Sequence, residues 1–299
     1  MALINNLSLQ GKLTENASLK SHNSWKVGGN AEILFVPKDI ADLAKFIKGI
    51  DNDVPLFWLG LGSNVLIRDG GINGAVIVTQ GGLSDLSIVD EENFIVRAEA
   101  GVSCAKLARY TSRLGLTGLE FMAGIPGTVG GALAMNAGCY GGETWNAVQE
   151  VEMINRSGEI IKKSTDSFDI SYRSVLKNPE EWFVAGNFKL KKGEKTRSIE
   201  NIRVLLEKRN ASQPTGLPNC GSVFRNPEGD FAAKLIEACG LKGHKLGGAA
   251  ISTKHANFII NEGSASAKDI ESLISHIIKK VDETHGLRLV PEVCFVGKK

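Results

Sequence analysis

The stretch Gly124–Gly142, GIPGTVGGALAMNAGCYGG, constrains this chain more than any other. It holds seven glycines, one proline and no charged residue. Neither an amphipathic helix nor an alternating strand has that pattern. Each missing Cβ lets backbone approach a ligand closely and lets φ turn positive. Successive free N–H groups in such a loop form a concave donor surface for phosphate oxygens, and Ala132, Ala134 and Ala137 keep its floor flat. The bland alternatives are an ordinary glycine loop or a tightly packed glycine–alanine helix.

A second stretch points the same way. Pro55–Asp69, PLFWLGLGSNVLIRD, is an apolar run, a glycine turn with Ser63 and Asn64, and another apolar run. It is not a dinucleotide fingerprint: Gly60 and Gly62 are followed by Val65 where a third glycine should stand, and no helix pattern follows. The sequence contains no GxxxxGK[ST], which argues against a P-loop nucleotide site.

The chain of 299 residues is long enough for two domains or three small ones. With 42% hydrophobic and 23% charged residues it has an ordinary globular balance. A net charge of +2 is too small to argue for nucleic acid or an anionic membrane. The N-terminal MALINNLSLQGKL lacks a basic region and a long apolar core, so no secretory signal is read there. No apolar run is long enough to span a bilayer. Five widely spaced cysteines without a CxxC pair make structural zinc improbable and suit reduced thiols in a cytoplasm.

Hydrophobic spacing predicts an α+β chain. Residues 1–20 read as a short helix or irregular arm. Strands are expected at Ile33–Val36, Leu56–Leu59, Val65–Ile67, Ala75–Thr79, Leu86–Ala98 (as two), Trp182–Leu190, Phe258–Ile260 and Glu292–Val296. A hairpin should turn at Asn155–Gly158. Helices are expected at Asp39–Ile50, Ser103–Leu114, Ser198–Asn210 and Phe231–Cys239, and from a capping box at Ser266/Asp269 to Gly286. The lysine-rich Lys191–Arg197 reads as a linker and the main boundary.

Three polar residues stand out in apolar surroundings. Ser222 lies in CGSVF, without the GxSxG elbow of a hydrolase nucleophile; its alternative is a hydroxyl satisfied in a turn. Arg173 follows Tyr172, with a surface salt bridge as the alternative. Glu292 sits at the mouth of an apolar strand.

GLGSNVLI followed some sixty residues later by GIPGTVGGALAMNAG resembles the FAD-binding part of the UDP-N-acetylenolpyruvoylglucosamine reductase family, within the vanillyl-alcohol-oxidase-like flavoproteins. The resemblance continues through His22–Gly29, Tyr172-Arg173, Asn219–Pro227, Gly247–Ala250, His255–Asn261 and Pro291–Phe295, and so covers nearly the whole chain. It implies a two-part FAD-binding domain of the vanillyl-alcohol-oxidase type (1–80 and 81–195) and a C-terminal α+β substrate domain (196–299), with the strand in 290–299 returning near the site. It implies non-covalent FAD, NADPH as hydride donor, and reduction of UDP-N-acetylglucosamine enolpyruvate to UDP-N-acetylmuramate in peptidoglycan precursor synthesis. In such enzymes the serine matching Ser222 is the general acid, and the arginine and glutamate matching Arg173 and Glu292 stabilise the charged intermediate.

The cofactor contacts implied are Val27, Gly28, Gly60, Gly62, Ser63, Asn64, Gly124, Ile125, Pro126, Gly127, Thr128, Gly130, Gly131, Asn136, Ala137 and Gly138, with Gly29 completing the pocket. Arg225, Asn226, Lys234 and Tyr172 are the substrate candidates; no metal is expected. The chain departs from the family pattern at Ser174, which follows Arg173 directly, and in the short segment before the Phe231 helix. No insert there offers a tyrosine to close over substrate, which resembles the shorter, second class of the family. Two other readings compete. One is a related FAD oxidase of a small alcohol or sugar, against which stands the absence of a tethering histidine in Gly60–Asp69. The other is a non-enzymatic nucleotide-binding protein, which leaves Ser222, Arg173 and Glu292 without a job.

Overall fold

The computed structural model describes residues 8–299. Two compact units are each assembled from separated pieces of chain. The first takes the residues up to Glu15, Ile33–Gly60 and Gly74–Lys208; the second takes Asn16–Glu32, Leu61–Asn73 and Arg209–Lys299.

In the first unit, β1 (Lys12–Ser18), β2 (Asn30–Val36), β3 (Leu56–Leu59) and β5 (Ile72–Val78) form a sheet in the order β1-β2-β5-β3, three of its strands straddling the division along the chain. Helix α1 (Ile40–Gly49) starts at Asp39, whose carboxylate accepts from the Asp42 N–H. Its apolar stripe of Leu43, Phe46 and Ile47 is buried with Ile33, Phe35 and Ile77, and the Phe35 and Phe46 rings stack at 4.3 Å. A five-stranded antiparallel sheet runs β12-β11-β15-β7-β6, from β6 (Leu86–Asp90), β7 (Ile95–Glu99), β11 (Val148–Asn155), β12 (Ile160–Ser164) and β15 (Glu181–Lys189). Gly158, at φ +73, closes the predicted hairpin by donating to the Asn155 carbonyl. Helices α2 (Cys104–Arg113) and α3 (Val129–Met135) share a core with this sheet: Leu107, Val129 and Leu133 are buried with Val96, Val151 and Phe188.

Three expectations need correction. Lys12–Ser18 is a strand rather than a helix or arm, and residues 1–7 of that segment lie outside the described residues. Its side chains are mostly exposed, and backbone pairing at a sheet edge holds it, which no hydrophobic pattern announces. The glycine stretch is helical in its middle: α3 occupies Val129–Met135, so the tightly packed glycine–alanine helix was half the answer. The predicted linker is ordered: β16 (Lys191–Lys192) pairs with β8 (Leu116–Thr117), and α4 (Lys195–Ser212) begins inside the linker.

The second unit centres on α6 (Ala267–His285). Ile270, Leu273, Ile274, Ile277 and Val281 are buried in one cluster with Ile251 and Ile259 of the antiparallel strands β17 (Lys245–Leu246), β18 (Ala249–Ile251) and β19 (Ile259–Asn261). Fully burying such a side chain contributes roughly 1.5–3 kcal/mol, so this face accounts for the attachment of α6. The predicted capping box is present, and the Asp69 carboxylate adds a second cap by accepting from the N–H groups of Ala267 and Lys268. Trp25 is buried in the same cluster; its Nε1 donates to the Ile259 carbonyl, and Asn261 Nδ2 donates to the Trp25 carbonyl. Helix α5 (Ala232–Ala238) packs on α6. The last strand, β20 (Cys294–Val296), lies parallel to β4 (Val65–Ile67).

Candidate active site

In the first unit the two glycine stretches meet. A Cβ on Gly60 would stand 2.2 Å from Thr128 Oγ1, so no side chain fits at Gly60. Thr128 is 2% exposed and its Oγ1 has no hydrogen-bond partner. A buried hydroxyl of this kind costs about 1–3 kcal/mol unless something bonds it. Gly131 meets nothing closer than this same oxygen, at 4.0 Å. The chemistry of Gly60, Thr128 and Gly131 is that of a cradle: backbone without side chains around one unused polar atom.

The rest of the stretch is less available than a bare loop. The N–H groups of Ile125, Val129 and Gly130 donate to the carbonyls of Met122, Val102 and Ala100. Gly130 is glycine because a Cβ would sit 2.9 Å from the Ala100 Cβ, and Gly124 because it would press on the Tyr140 ring and Cys139 Sγ. A Cβ on Gly138 would stand 2.3 Å from the Gly142 carbonyl oxygen in the hairpin of β9 (Gly138–Cys139) and β10 (Gly142–Glu143). These glycines serve chain-to-chain packing. Pro126 is exposed, Ile125 and Gly127 are half-buried, and Ala137 packs on the core.

Asn136 ends α3 in the left-handed region at φ +41 and is 2% exposed. Its Nδ2 donates to Glu143 Oε2 and the Ser171 carbonyl, and its Oδ1 accepts from the Trp145 N–H. The side chain expected at the cofactor is thus a structural hub. The hub carries Arg173, in the tip of the hairpin β13 (Asp169–Ser171) and β14 (Ser174–Leu176). Arg173 has φ +56, a conformation that costs a non-glycine residue of order 1–3 kcal/mol. Its Nη2 donates to the Gly138 carbonyl at 2.7 Å and its Nη1 to the Asn136 carbonyl at 3.5 Å. The guanidinium is therefore fixed against the glycine stretch, and it lies over the half-exposed Tyr172 ring, 5.1 Å from its centre.

The second unit brings Ser222 and Glu292 onto neighbouring segments. The Glu292 N–H donates to the Val223 carbonyl at 2.8 Å, the Arg225 N–H donates to the Val290 carbonyl, and Phe224 bridges Pro291. Asn257, 3% exposed, clamps the serine strand: its Oδ1 accepts from the Phe224 N–H, its Nδ2 donates to the Phe224 carbonyl, and its own carbonyl accepts from the Val223 N–H. Among the described residues no hydrogen bond to the half-buried Ser222 hydroxyl is found. Gly221, at φ +72, turns the chain into this segment, and burial pushes the neighbouring Cys220 thiol up to about 12.

Asn64 fixes the glutamate from the other side. Its Nδ2 donates to the Glu292 carbonyl, and its own carbonyl accepts from the Cys294 N–H. Val27 is 1% exposed in the core, so its side chain is not presented to a ligand. Gly28 and Gly62 have φ of +102 and +67 and stand against the Ile67 and His22 carbonyls, while Gly29 stands against that of Asp69. Ser63 is half-buried. Asn226 caps α5, its Oδ1 accepting from the Ala232 N–H. Lys234 is 70% exposed and pairs with Asp230, a surface contact. A separate cavity of about 530 Å3, lined by Leu217, Lys245, Ile251 and Asn261 among others, includes none of the predicted residues. Asn257 and Asp69 were not foreseen; a buried asparagine or a capping aspartate has no signature beyond its neighbours' geometry. Among the described residues no cluster could hold a metal ion, and no helix is long and apolar enough to cross a membrane.

Comparison with known proteins identifies the family. Residues 31–164 match the FAD binding domain family, and residues 213–296 match the UDP-N-acetylenolpyruvoylglucosamine reductase C-terminal domain. The chain is 50% identical to UDP-N-acetylenolpyruvoylglucosamine reductase of Coxiella burnetii (strain Dugway 5J108-111), over 97% of each chain. It is 52% identical to that of Legionella pneumophila (strain Corby), over 96% of this chain and 93% of the other. The crystal structure of the Thermus caldophilus enzyme superposes with a TM-score of 0.82 at 30% identity, covering 97% of this chain and all of the other. With both domain families matched along its length and a relative 50% identical over 97% of each chain, the chain belongs to the UDP-N-acetylenolpyruvoylglucosamine reductase family.

Proposed function

We propose that this chain is the flavin-dependent oxidoreductase that reduces UDP-N-acetylglucosamine enolpyruvate to UDP-N-acetylmuramate in peptidoglycan precursor synthesis, with NADPH as electron source. Family membership over 97% of the chain supports the reaction. The observation that carries it at the level of residues is the pairing of the Ser222 segment with the Glu292 segment, with a serine hydroxyl that no described residue occupies. The fit to FAD rests on the cradle of Gly60, Thr128 and Gly131, whose one buried oxygen lacks a partner. Held there by Gly60, Thr128 and Gly131, FAD would supply the hydride chemistry that links NADPH to the enolpyruvyl double bond.

The residues of this chain have three tasks. Hydride arriving at the vinyl carbon pushes negative charge onto the neighbouring carbon and the substrate carboxylate. Arg173, held rigid by the Asn136 and Gly138 carbonyls, supplies fixed positive charge, which costs no reorganisation as the barrier is crossed. Ser222 donates its proton to the neighbouring carbon; a serine can do so only as charge collapses onto that carbon. Glu292, its backbone anchored by Val223 and Asn64, assists at the same centre. Asn257 acts through Phe224 and positions the serine. Tyr172 and Arg225 are assigned to the substrate, while Asn226 and Lys234 have structural partners that weaken their earlier assignment. Free thiols at all five cysteines support a cytoplasmic setting.

The test separates the two half-reactions. Ser222→Ala should let NADPH bleach the flavin at close to the normal rate, then slow reoxidation by the enolpyruvyl substrate by about 10²–10⁴-fold. Ser222→Cys, which keeps a transferable proton, should recover part of the loss. Equal slowing of both halves by the alanine variant would make Ser222 structural.

A further inference from the structure

The chain's net charge of +2 hides an uneven distribution. Between Ser103 and Leu119 stand three cations, Lys106, Arg109 and Arg113, and no acid. All three are exposed on α2. At 3.6 residues per turn they fall within an arc of about 60° and along roughly 10 Å of helix, on the side opposite the buried Leu107, Ala108 and Thr111. Gly115, at φ +70, stops the helix, and its carbonyl accepts from the Gly193 N–H. Beside it β16 pairs with β8, Lys191 opposite Thr117 and Lys192 opposite Leu116. This pairing brings the exposed Lys191, Lys192, Lys195 and Arg197 to the C-terminal end of α2, with Glu194 the one acid among them. Residues 103–119 and 190–198 thus hold seven cations and one acid, net +6, while the rest of the chain is net −4.

The fold leaves these charges to solvent. Among the described residues none of the seven is in an ion pair. Glu120, which follows β8, is occupied: its carboxylate accepts from Thr117 Oγ1, the Gly118 N–H and Ser198 Oγ. Two aliphatic side chains stand beside the cations, Leu114 next to Arg113 at 45% exposure and Ile199 near Arg197 at 46%. That mixture narrows the partner. A nucleic acid would use the charges and leave Leu114 and Ile199 in water. An anionic lipid surface takes both, with the ammonium and guanidinium groups at the headgroups and the aliphatic groups at the acyl boundary. Long side chains with no fixed acidic partner also suit a fluid array of anions. We propose that this face of the first unit docks reversibly on an anionic lipid surface, without insertion of any helix. The negative remainder of the chain is repelled by the same surface, so the orientation of docking is set by charge.

The test is co-sedimentation of the flavin-loaded full chain with vesicles of mixed phosphatidylglycerol and phosphatidylcholine, and with vesicles of phosphatidylcholine alone. Wild type should pellet with the first and not with the second. Salt at about 1 M should release it, because screening then acts within about 3 Å. The triple variant Lys106→Gln, Arg109→Gln, Arg113→Gln should weaken vesicle binding by roughly a hundredfold, about fivefold for each basic group near the surface. Its flavin content and its reduction by NADPH should stay as in wild type. A second triple variant on another element, Lys191→Gln, Lys192→Gln, Lys195→Gln, should behave alike. Leu114→Ser should weaken vesicle binding by roughly threefold to tenfold and leave retention on heparin unchanged. A wild-type chain that stays in solution with the mixed vesicles, or pellets equally with phosphatidylcholine alone, overturns the proposal. So do folded charge variants that bind as wild type does. If Leu114→Ser changes nothing and heparin binds as tightly as the vesicles, the face takes polyanions in general and the lipid assignment fails.

Discussion

Asn257→Ala should separate stability from chemistry in one substitution. The side chain holds both backbone groups of Phe224, at 2.9 Å each, in a site where Phe224 is 1% and Asn257 3% exposed. Removing the amide leaves a buried N–H and a buried carbonyl without partners. Each such group costs about 1–3 kcal/mol, so the second unit should lose roughly 2–6 kcal/mol. At about 2–4 °C per kcal/mol for a chain of this size class, Tm should fall by roughly 4–24 °C. Differential scanning calorimetry on the flavin-loaded protein reads the loss. Phe224 is two residues from Ser222 and bridges Pro291, two segments the proposed chemistry needs in register. Substrate-driven reoxidation should therefore slow by an order of magnitude or more, while NADPH-driven flavin reduction stays near normal. A variant that melts within 1 °C of wild type would show that water or backbone relaxation replaces the amide, and the positioning argument would fail.

Three further outcomes follow from other sites. Burial works to raise the Asp42 carboxyl, but backbone N–H donors from Gln10, Lys38 and Gly11 outweigh it and hold the group below its ordinary range; its contribution should be complete above about pH 4, near the unfolded value, and vanish as pH falls through the folded one, so Asp42→Asn should cost roughly 2–3 kcal/mol at neutral pH and flatten the acid limb of a stability-versus-pH curve. Gly60→Ala should lower flavin occupancy, measured as the flavin-to-protein absorbance ratio, because its Cβ would overlap Thr128 Oγ1; full occupancy would remove the cradle from the cofactor site. Burial pushes the thiols of Cys104 and Cys220 up to about 12, so iodoacetamide on the native chain should label the exposed Cys294 and spare both; mass spectrometry showing either modified before unfolding would contradict their burial.

What could be read in advance was local. Helices α1, α2 and α6 announce themselves through apolar spacing and caps within a few residues, and the hairpin turn through Asn155–Gly158. Strand β1 was not legible, because an edge strand of exposed side chains is specified by its partner's backbone. Helix α3 was hidden because Gly130 trades helix propensity for close contact with Ala100, a contact 30 residues away in sequence. Of the candidate site, the motif residues Ser222, Glu292 and Arg173 were visible as types. Their supports were not: Asn136 and Asn257 act through long-range bonds to backbone, and Asn64 turned out to hold Glu292 by its carbonyl.

The way the second unit is stitched together also orders events at the ribosome. Strand β4 is made early, yet its parallel partner β20 follows more than two hundred residues later. At about 5–20 residues per second, roughly ten to forty-five seconds of synthesis separate them. The first unit has nearly all of its sequence by Lys208, whereas Asn16–Glu32 and Leu61–Asn73 must wait for Arg209–Lys299. During that interval Trp25, Val27 and Leu66 have no core to enter. A nascent chain stalled before residue 260 should therefore present these two segments to chaperones and proteases, and release of the final segment should protect both at once.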